Sequence, residues 1–174
     1  LYWWLAITVQ GLYEGGWAPA PVPAFIGGVN SCKSLLQALI TRILGNRVAR
    51  VVQAITGGTA FNADWAASTH LVVEDDFSEN SHKIRQRIKE HIKAVAVNCQ
   101  HRIHPKGKDA LIVSPYWRMT LSCNPEPDSL AVLPPLDNSV RDKFSALWFH
   151  PIEMPLYSST PAARSKAWDV YMSE

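Results

Sequence analysis

The 174-residue sequence predicts an α/β layer fold, with a central, mostly parallel sheet flanked by helices. Three observations predict it. Short apolar runs of strand length alternate along the chain with longer stretches at the helical period. A turn at Gly27-Gly28 separates the apolar run Ala24-Phe25-Ile26 from the clearest helical stripe in the sequence. A hydrophobic content of 47% is enough for one sizeable core in one domain of ordinary size.

The elements follow in order. Residues 1–14 are aromatic-rich and read as a helix, broken by Gly15, Gly16 and the run Pro19 to Pro23. Ala24 to Ile26 reads as a buried strand. Leu35, Leu36, Leu39, Ile40, Ile43 and Leu44 fall on one helical stripe, with Gly45 where a C-terminal cap belongs. Arg50 to Ile55 reads as a second strand and Leu71 to Val73 as a third. Ser81 caps a helix whose apolar face is Ile84, Ile88, Ile92 and Val95. Val97 to Ile103 and Ala110 to Val113 flank a Pro- and Gly-containing tip, His104 to Lys108, and predict a hairpin. Arg118 to Ser122 and Ala146 to Phe149 complete the strands, with Trp117 and Trp148 expected in the core. Three segments result: an N-terminal helix and linker (1–19), a main domain (20–157), and a polar, irregular tail or start of a next module (158–174).

Composition narrows the class. The net charge of +2 says little by itself, because nucleic-acid binding needs a local basic patch. The charge is uneven: eight Lys or Arg lie between His82 and Asp109, while Glu74, Asp75, Asp76 and Glu79 precede them. The basic helix within that stretch reads as a solvated face. Three cysteines without a CxxC pair argue against a disulfide framework or zinc ribbon and for a reducing cytoplasm. Cys99, His101 and His104 lack a fourth ligand at sensible spacing, so no zinc is expected. The apolar opening, Leu1 to Val9, is too short for a bilayer and lacks a basic n-region, so no membrane partner is expected. The chain opens on Leu1 rather than Met and reads as a piece of a longer protein.

The Gly27–Ser34 octet, Gly-Gly-Val-Asn-Ser-Cys-Lys-Ser, nearly fits the phosphate-loop pattern G-x-x-x-x-G-K-[ST], between a strand and a helix as that motif requires. Backbone N–H groups of Gly27, Gly28, Asn30, Ser31 and Cys32 and the helix N-terminus would surround anionic phosphate. Lys33 would meet the β- and γ-phosphates, and the Ser34 hydroxyl would ligate Mg²⁺. Cys32 replaces the second glycine and brings a Cβ and a sulfur to a crowded loop. About 40 residues on, His70-Leu71-Val72-Val73 ends in Glu74-Asp75-Asp76, a strand that delivers carboxylates to metal and water. Glu74 and Asp75 directly follow the apolar run and are the preferred pair, with Asp75 the Mg²⁺ carboxylate.

Taken in order, Gly27 to Ser34, Val72-Val73-Glu74-Asp75, Leu121-Ser122-Cys123-Asn124 and Arg141-Asp142-Lys143-Phe144 resemble the motif series of superfamily 3 helicases. The resemblance covers about residues 20 to 152 and is nearest to phage and poxvirus-type primase-helicase ATPases, more distantly to polyomavirus large T antigen. It implies a three-layer, AAA+-like P-loop NTPase fold, with ATP and Mg²⁺ as cofactors, in a bacterial or phage-infected cell. It implies that Asn124 is the sensor polarising the γ-phosphate or attacking water. Arg141 or Lys143 would be the finger that reaches a neighbouring subunit's ATP. His104, Lys106 and Lys108 would grip single-stranded DNA without sequence preference from the hairpin, inside a homo-oligomeric, hexameric ring. The implied function is an ATP-dependent DNA helicase or translocase motor; the alternative, favoured by Cys32, is a degenerate non-hydrolysing module with a structural or nucleic-acid-binding role.

Overall fold

The structure, a computed structural model, describes residues 1–74, 82–134, 137–151 and 160–173. The predicted cap Ser81 and the second acid Asp75 lie outside them, as does the 157/158 boundary. Among the described residues, seven strands and five α-helices follow in the order α1 (Tyr2–Glu14), β1 (Val22–Gly27), α2 (Lys33–Ile43), β2 (Val48–Arg50), α3 (Val52–Thr56), β3 (His70–Val73), α4 (His82–Val97), β4 (His101–Ile103), β5 (Leu111–Val113), β6 (Arg118–Cys123), β7 (Phe144–Phe149) and α5 (Pro161–Ser173). Five strands form one sheet in the order β2-β3-β6-β1-β7, and all four pairings are parallel. β4 and β5 pair antiparallel as a separate hairpin.

Helices cover both faces, which makes three layers. Along β6 the side chains alternate between them. Met119, Leu121 and Cys123 join Leu71, Val73, Ala24 and Ile26 in the main core, closed by Ile88, Ile92 and Val95 of α4. This is the α4 face read from the sequence. The opposite face carries Arg118, Thr120 and Ser122, all buried. There α1 and α2 close a smaller apolar cluster of Trp4, Phe25, Ile40 and Leu44.

That polar face explains a departure in α2. Ile40 and Leu44 are buried as predicted, but Leu39 and Ile43 are exposed, while Gln37 and Thr41 are buried. The helix is rotated to set its own polar side chains against Thr120 and His70 instead of burying its full apolar stripe. Its C-terminus is as expected: Gly45 has φ 83, with Gly45 N–H donating to Arg42 O at 3.2 Å and Asn46 N–H to Thr41 O at 2.9 Å. These are the paired bonds of a Schellman cap.

Four further expectations need correction. The predicted strand 50–55 is β2 ending at Arg50 followed by the helix α3. Buried Val51 and Ile55 stand four apart, a spacing that serves one helical face equally well. Pro23, counted among the breakers, lies inside β1, at a position where β1 pairs only with β7; pairing to β6 begins at Ala24. Val22 N–H donates to Lys143 ahead of β7, so Pro23 N faces β6, where the registered pairing starts one residue later. Residues 161–173 are helical rather than irregular. Trp117 is core at 2% exposure, whereas Trp148, on the edge strand β7, is 62% exposed.

Candidate nucleotide cleft

The C-terminal ends of three adjacent strands, β3, β6 and β1, open on one cleft of about 520 Å³. That position, beyond the carboxyl ends of parallel strands, is where open α/β sheets bind ligands, and the volume suits a small-molecule ligand. Its lining includes Asn30 to Ser34, Arg50, Glu74, Ser122 and Asn124.

The loop after β1 is tightly built. Asn30 and Cys32 have φ of 63 and 60, and α2 begins at the next residue, Lys33. Ser31 is buried, and its hydroxyl donates to Gly28 O at 2.7 Å. Gly27 is needed sterically: a Cβ there would meet Phe149 O at 2.5 Å and Ser31 Oγ at 2.8 Å. Gly28 has open space around it. Gly27→Ala is expected to lower stability by about 2 kcal/mol through overpacking against backbone, read by chemical denaturation, whereas Gly28→Ala changes it by less than about half of that. Equal effects of the two would contradict the packing described.

Lys33 is the hub. Its ammonium donates to Gly27 O at 2.5 Å, Gly28 O at 2.9 Å, Ser31 Oγ at 3.2 Å and Asn124 Oδ1 at 3.2 Å. The last bond links the end of β1 to the end of β6, joining two of the predicted site residues across 91 positions of sequence. Glu74 stands on the far wall, and its carboxylate accepts from Arg50 Nη1 at 3.0 Å. Arg50 was not singled out in the sequence. A lone arginine at a strand end carries no signal until the sheet order places β2 beside β3.

The remaining predicted residues lie elsewhere. Arg141 and Lys143 precede β7, and Lys143 O accepts from Val22 N–H at the start of β1. They stand at the opposite end of the sheet from the cleft, a strand length of roughly 20 Å away. Lys143 Nζ is bonded to the Asp142 carboxylate at 2.8 Å. His104, Lys106 and Lys108 sit on the β4–β5 hairpin as placed from the sequence, the two lysines exposed. Asn62 braces that hairpin: its side chain accepts from His104 N–H at 2.7 Å and donates to Arg102 O at 3.1 Å. The glycine-containing segment 56–62 thus supports the hairpin, and its Thr56 O holds Arg87 of α4. Lys89 bonds Asp137, so the basic helix is only partly a solvated face. The Lys89 and Ser139 contacts hold the Asp137 carboxyl well below the usual carboxylate range. Among the described residues no group of His, Cys, Asp or Glu is gathered as a metal site, and no helix is long and apolar enough to cross a membrane.

Comparison with known proteins extends the picture. A family model described as "Family of unknown function (DUF5906)" matches residues 25–139. No curated protein matches the chain. Among solved structures, the apo NrS-1 C-terminal region is similar at TM-score 0.63 and 15% identity over 89% of this chain. A second apo form of that region gives TM-score 0.66 and 13% identity over 95%. The JCV helicase gives TM-score 0.57 and 10% identity over 85% of this chain and 40% of its own. The chain spans only 36–38% of the NrS-1 region it matches. At such identities the likeness is one of fold, a parallel sheet with flanking helices.

Proposed function

We propose that this chain, which belongs to the DUF5906 family of unknown function, is an ATP-dependent motor domain of a phage-type primase-helicase that moves along single-stranded DNA. The observation that carries the reading is the cleft itself: Lys33 Nζ lies 3.2 Å from Asn124 Oδ1, with Ser34 and Glu74 lining the same space.

The residues present fit ATP and Mg²⁺. Lys33 gathers four oxygen acceptors around one ammonium, a point charge that phosphate oxygens compete for well. The N-terminus of α2 adds its partial positive charge beside it. Ser34 offers a hydroxyl for the metal, and Glu74, with Asp75 next in the chain, offers carboxylate. When bound, the nucleotide and its metal supply a phosphoanhydride whose hydrolysis drives movement. Asn124 orients the attacking water or the terminal phosphate. Glu74 takes the water's proton once it leaves Arg50. Arg141 or Lys143 acts on a neighbour's cleft, since both lie at the far end of the sheet from their own; that requires a homo-oligomer, in this reading a hexameric ring. His104, Lys106 and Lys108 contact DNA phosphates without regard to sequence. The compartment is the cytoplasm of a bacterial or phage-infected cell.

Steady-state ATPase of the full-length protein, with and without single-stranded DNA, tests this. Turnover stimulated by DNA is expected; absence of turnover with DNA present sinks the motor.

A second reading, a non-hydrolysing module, is favoured by Cys32. Its φ of 60 holds an L-residue in the left-handed region, a strain of about 1–2 kcal/mol that glycine escapes at about 0.5–1 kcal/mol of chain entropy. Cys32→Gly is therefore expected to raise stability by up to about 1 kcal/mol in thermal denaturation and to tighten nucleotide binding. ATP binding found only in the variant would establish the second reading instead.

A further inference from the structure

Beneath the cleft, where α2 meets the sheet, four polar side chains are buried together: Gln37, Thr41, His70 and Thr120, at exposures of 3%, 8%, 0% and 0%. Their bonds close into a ring. Gln37 Nε2 donates to Thr120 Oγ1 at 3.0 Å, and Thr120 Oγ1 meets His70 Nε2 at 2.9 Å. His70 Nδ1 meets Thr41 Oγ1 at 2.7 Å, and Thr41 Oγ1 donates to the backbone carbonyl of Gln37 at 3.0 Å, while Gln37 Oε1 is buried without a partner. The proton positions follow from the donors available. Thr41 has one hydroxyl proton and gives it to Gln37 O, so it can only accept from His70. Nδ1 therefore carries the imidazole proton, Nε2 is bare, and Thr120 donates to it. Each hydroxyl donates once and accepts once, and the loop returns to the residue where it began.

We propose that this ring is a positioning device: it locks the helix bearing Lys33 and Ser34 to the strands that deliver Glu74 and Asn124, so that the two walls of the cleft hold one spacing. This rests on the nucleotide reading above. The placement supports it. Gln37 is four residues after Lys33 on α2, Thr120 four before Asn124 on β6, and His70 four before Glu74 on β3. Three of the four ring members therefore sit four residues from a site residue, with Glu74 and Asn124 each one residue past the end of its strand. Neutral His70 is what the ring requires, and burial pushes its pKa down to about 4. Among the described residues no nearby charge opposes that. Arg118, the register partner of His70 on β6, turns its guanidinium to Thr8, Ala18 and Trp117 near α1. Arg47, before β2, meets His70 by accepting its backbone N–H. Arg42, beside Thr41 on α2, lines the neighbouring groove with Arg50 and Glu74.

Three measurements on the full chain test the device. Ring ¹⁵N spectra of His70 should show Nδ1 protonated and Nε2 bare at neutral pH; the opposite tautomer overturns the ring. Thr120→Val should weaken binding of a fluorescent ATP analogue with Mg²⁺ about tenfold, and Thr120→Ser should restore it to within about twofold, because only Val takes the shared partner from His70 Nε2 and Gln37 Nε2. Equal affinity of the Val variant and the parent overturns the positioning role. If the parent binds no nucleotide, the motor reading falls, and the ring is judged by hydrogen exchange. Thr120→Val should then lower amide protection in the first turns of α2 more than in α4; equal loss in both overturns it.

Discussion

Lys33→Met is expected to weaken ATP binding by about a hundredfold or more, measured by calorimetric titration with Mg²⁺ present, while costing only about 1 kcal/mol of fold stability. The asymmetry follows from where the ammonium sits. Its four acceptors are two backbone carbonyls, one hydroxyl and the Asn124 amide oxygen. Lys33 and Asn124 line the open cleft, so solvent can enter where the lysine stood and the fold loses little. A phosphate has no such substitute, because the removed group is the cation that faces it. Lys33→Arg separates charge from shape. A planar guanidinium cannot gather four acceptors around one point, so binding recovers only in part. Unchanged ATP affinity in Lys33→Met would remove the cleft from consideration as a nucleotide site.

Acidification supplies the second large effect. The pKa of His70 falls to about 4 in the fold from 6.5 in the open chain, with burial as the cause. Between those values the unfolded chain holds a proton that the folded chain refuses, so stability rises with pH there. The contribution is complete above pH 6.5 and drains away as pH falls through about 4, a loss of about 3 kcal/mol. Burial also lowers His91 and His101, and these act in the same direction. Asp137 loses its advantage only below the ordinary carboxylate range, so its limb is separate. Urea denaturation from pH 7.5 down to pH 4 should show the fall. His70→Phe should start lower at pH 7.5, with Thr41 and Thr120 each losing one hydrogen bond, yet lose less on acidification. A slope identical to the parent's would mean that His70 is charged or solvated in the fold.

Much of the architecture was open to reading because its signals are local. Strand runs such as Ala24 to Ile26 and Leu71 to Val73, the α4 stripe of Ile84, Ile88, Ile92 and Val95, and the Gly45 cap all depend on neighbours a few residues away. The phosphate-loop octet is equally local, and its lysine, two serines and asparagine lie on the cleft as a group. Errors arose where two geometries share one pattern. Val51 and Ile55 suit a helix or a strand. Leu39 and Ile43 continue an apolar stripe that the polar sheet face then turns outward. For Trp148 the deciding fact was that β7 is an edge strand, which only the order of the sheet reveals.

Local pattern was enough for the α/β class, for the loop that precedes Lys33, and for the places of Glu74 and Asn124 just past two further strands, since propensity and periodicity act over one or two turns of chain. Which of these share a cleft, that Arg50 faces Glu74, and that Gln37, Thr41, His70 and Thr120 close one ring all depend on how the strands are ordered in space. The physical reason is that a hydrogen bond between residues 83 positions apart, such as Gln37 to Thr120, leaves no periodic trace. It exists only because parallel pairing sets β3 and β6 side by side and α2 lies across both.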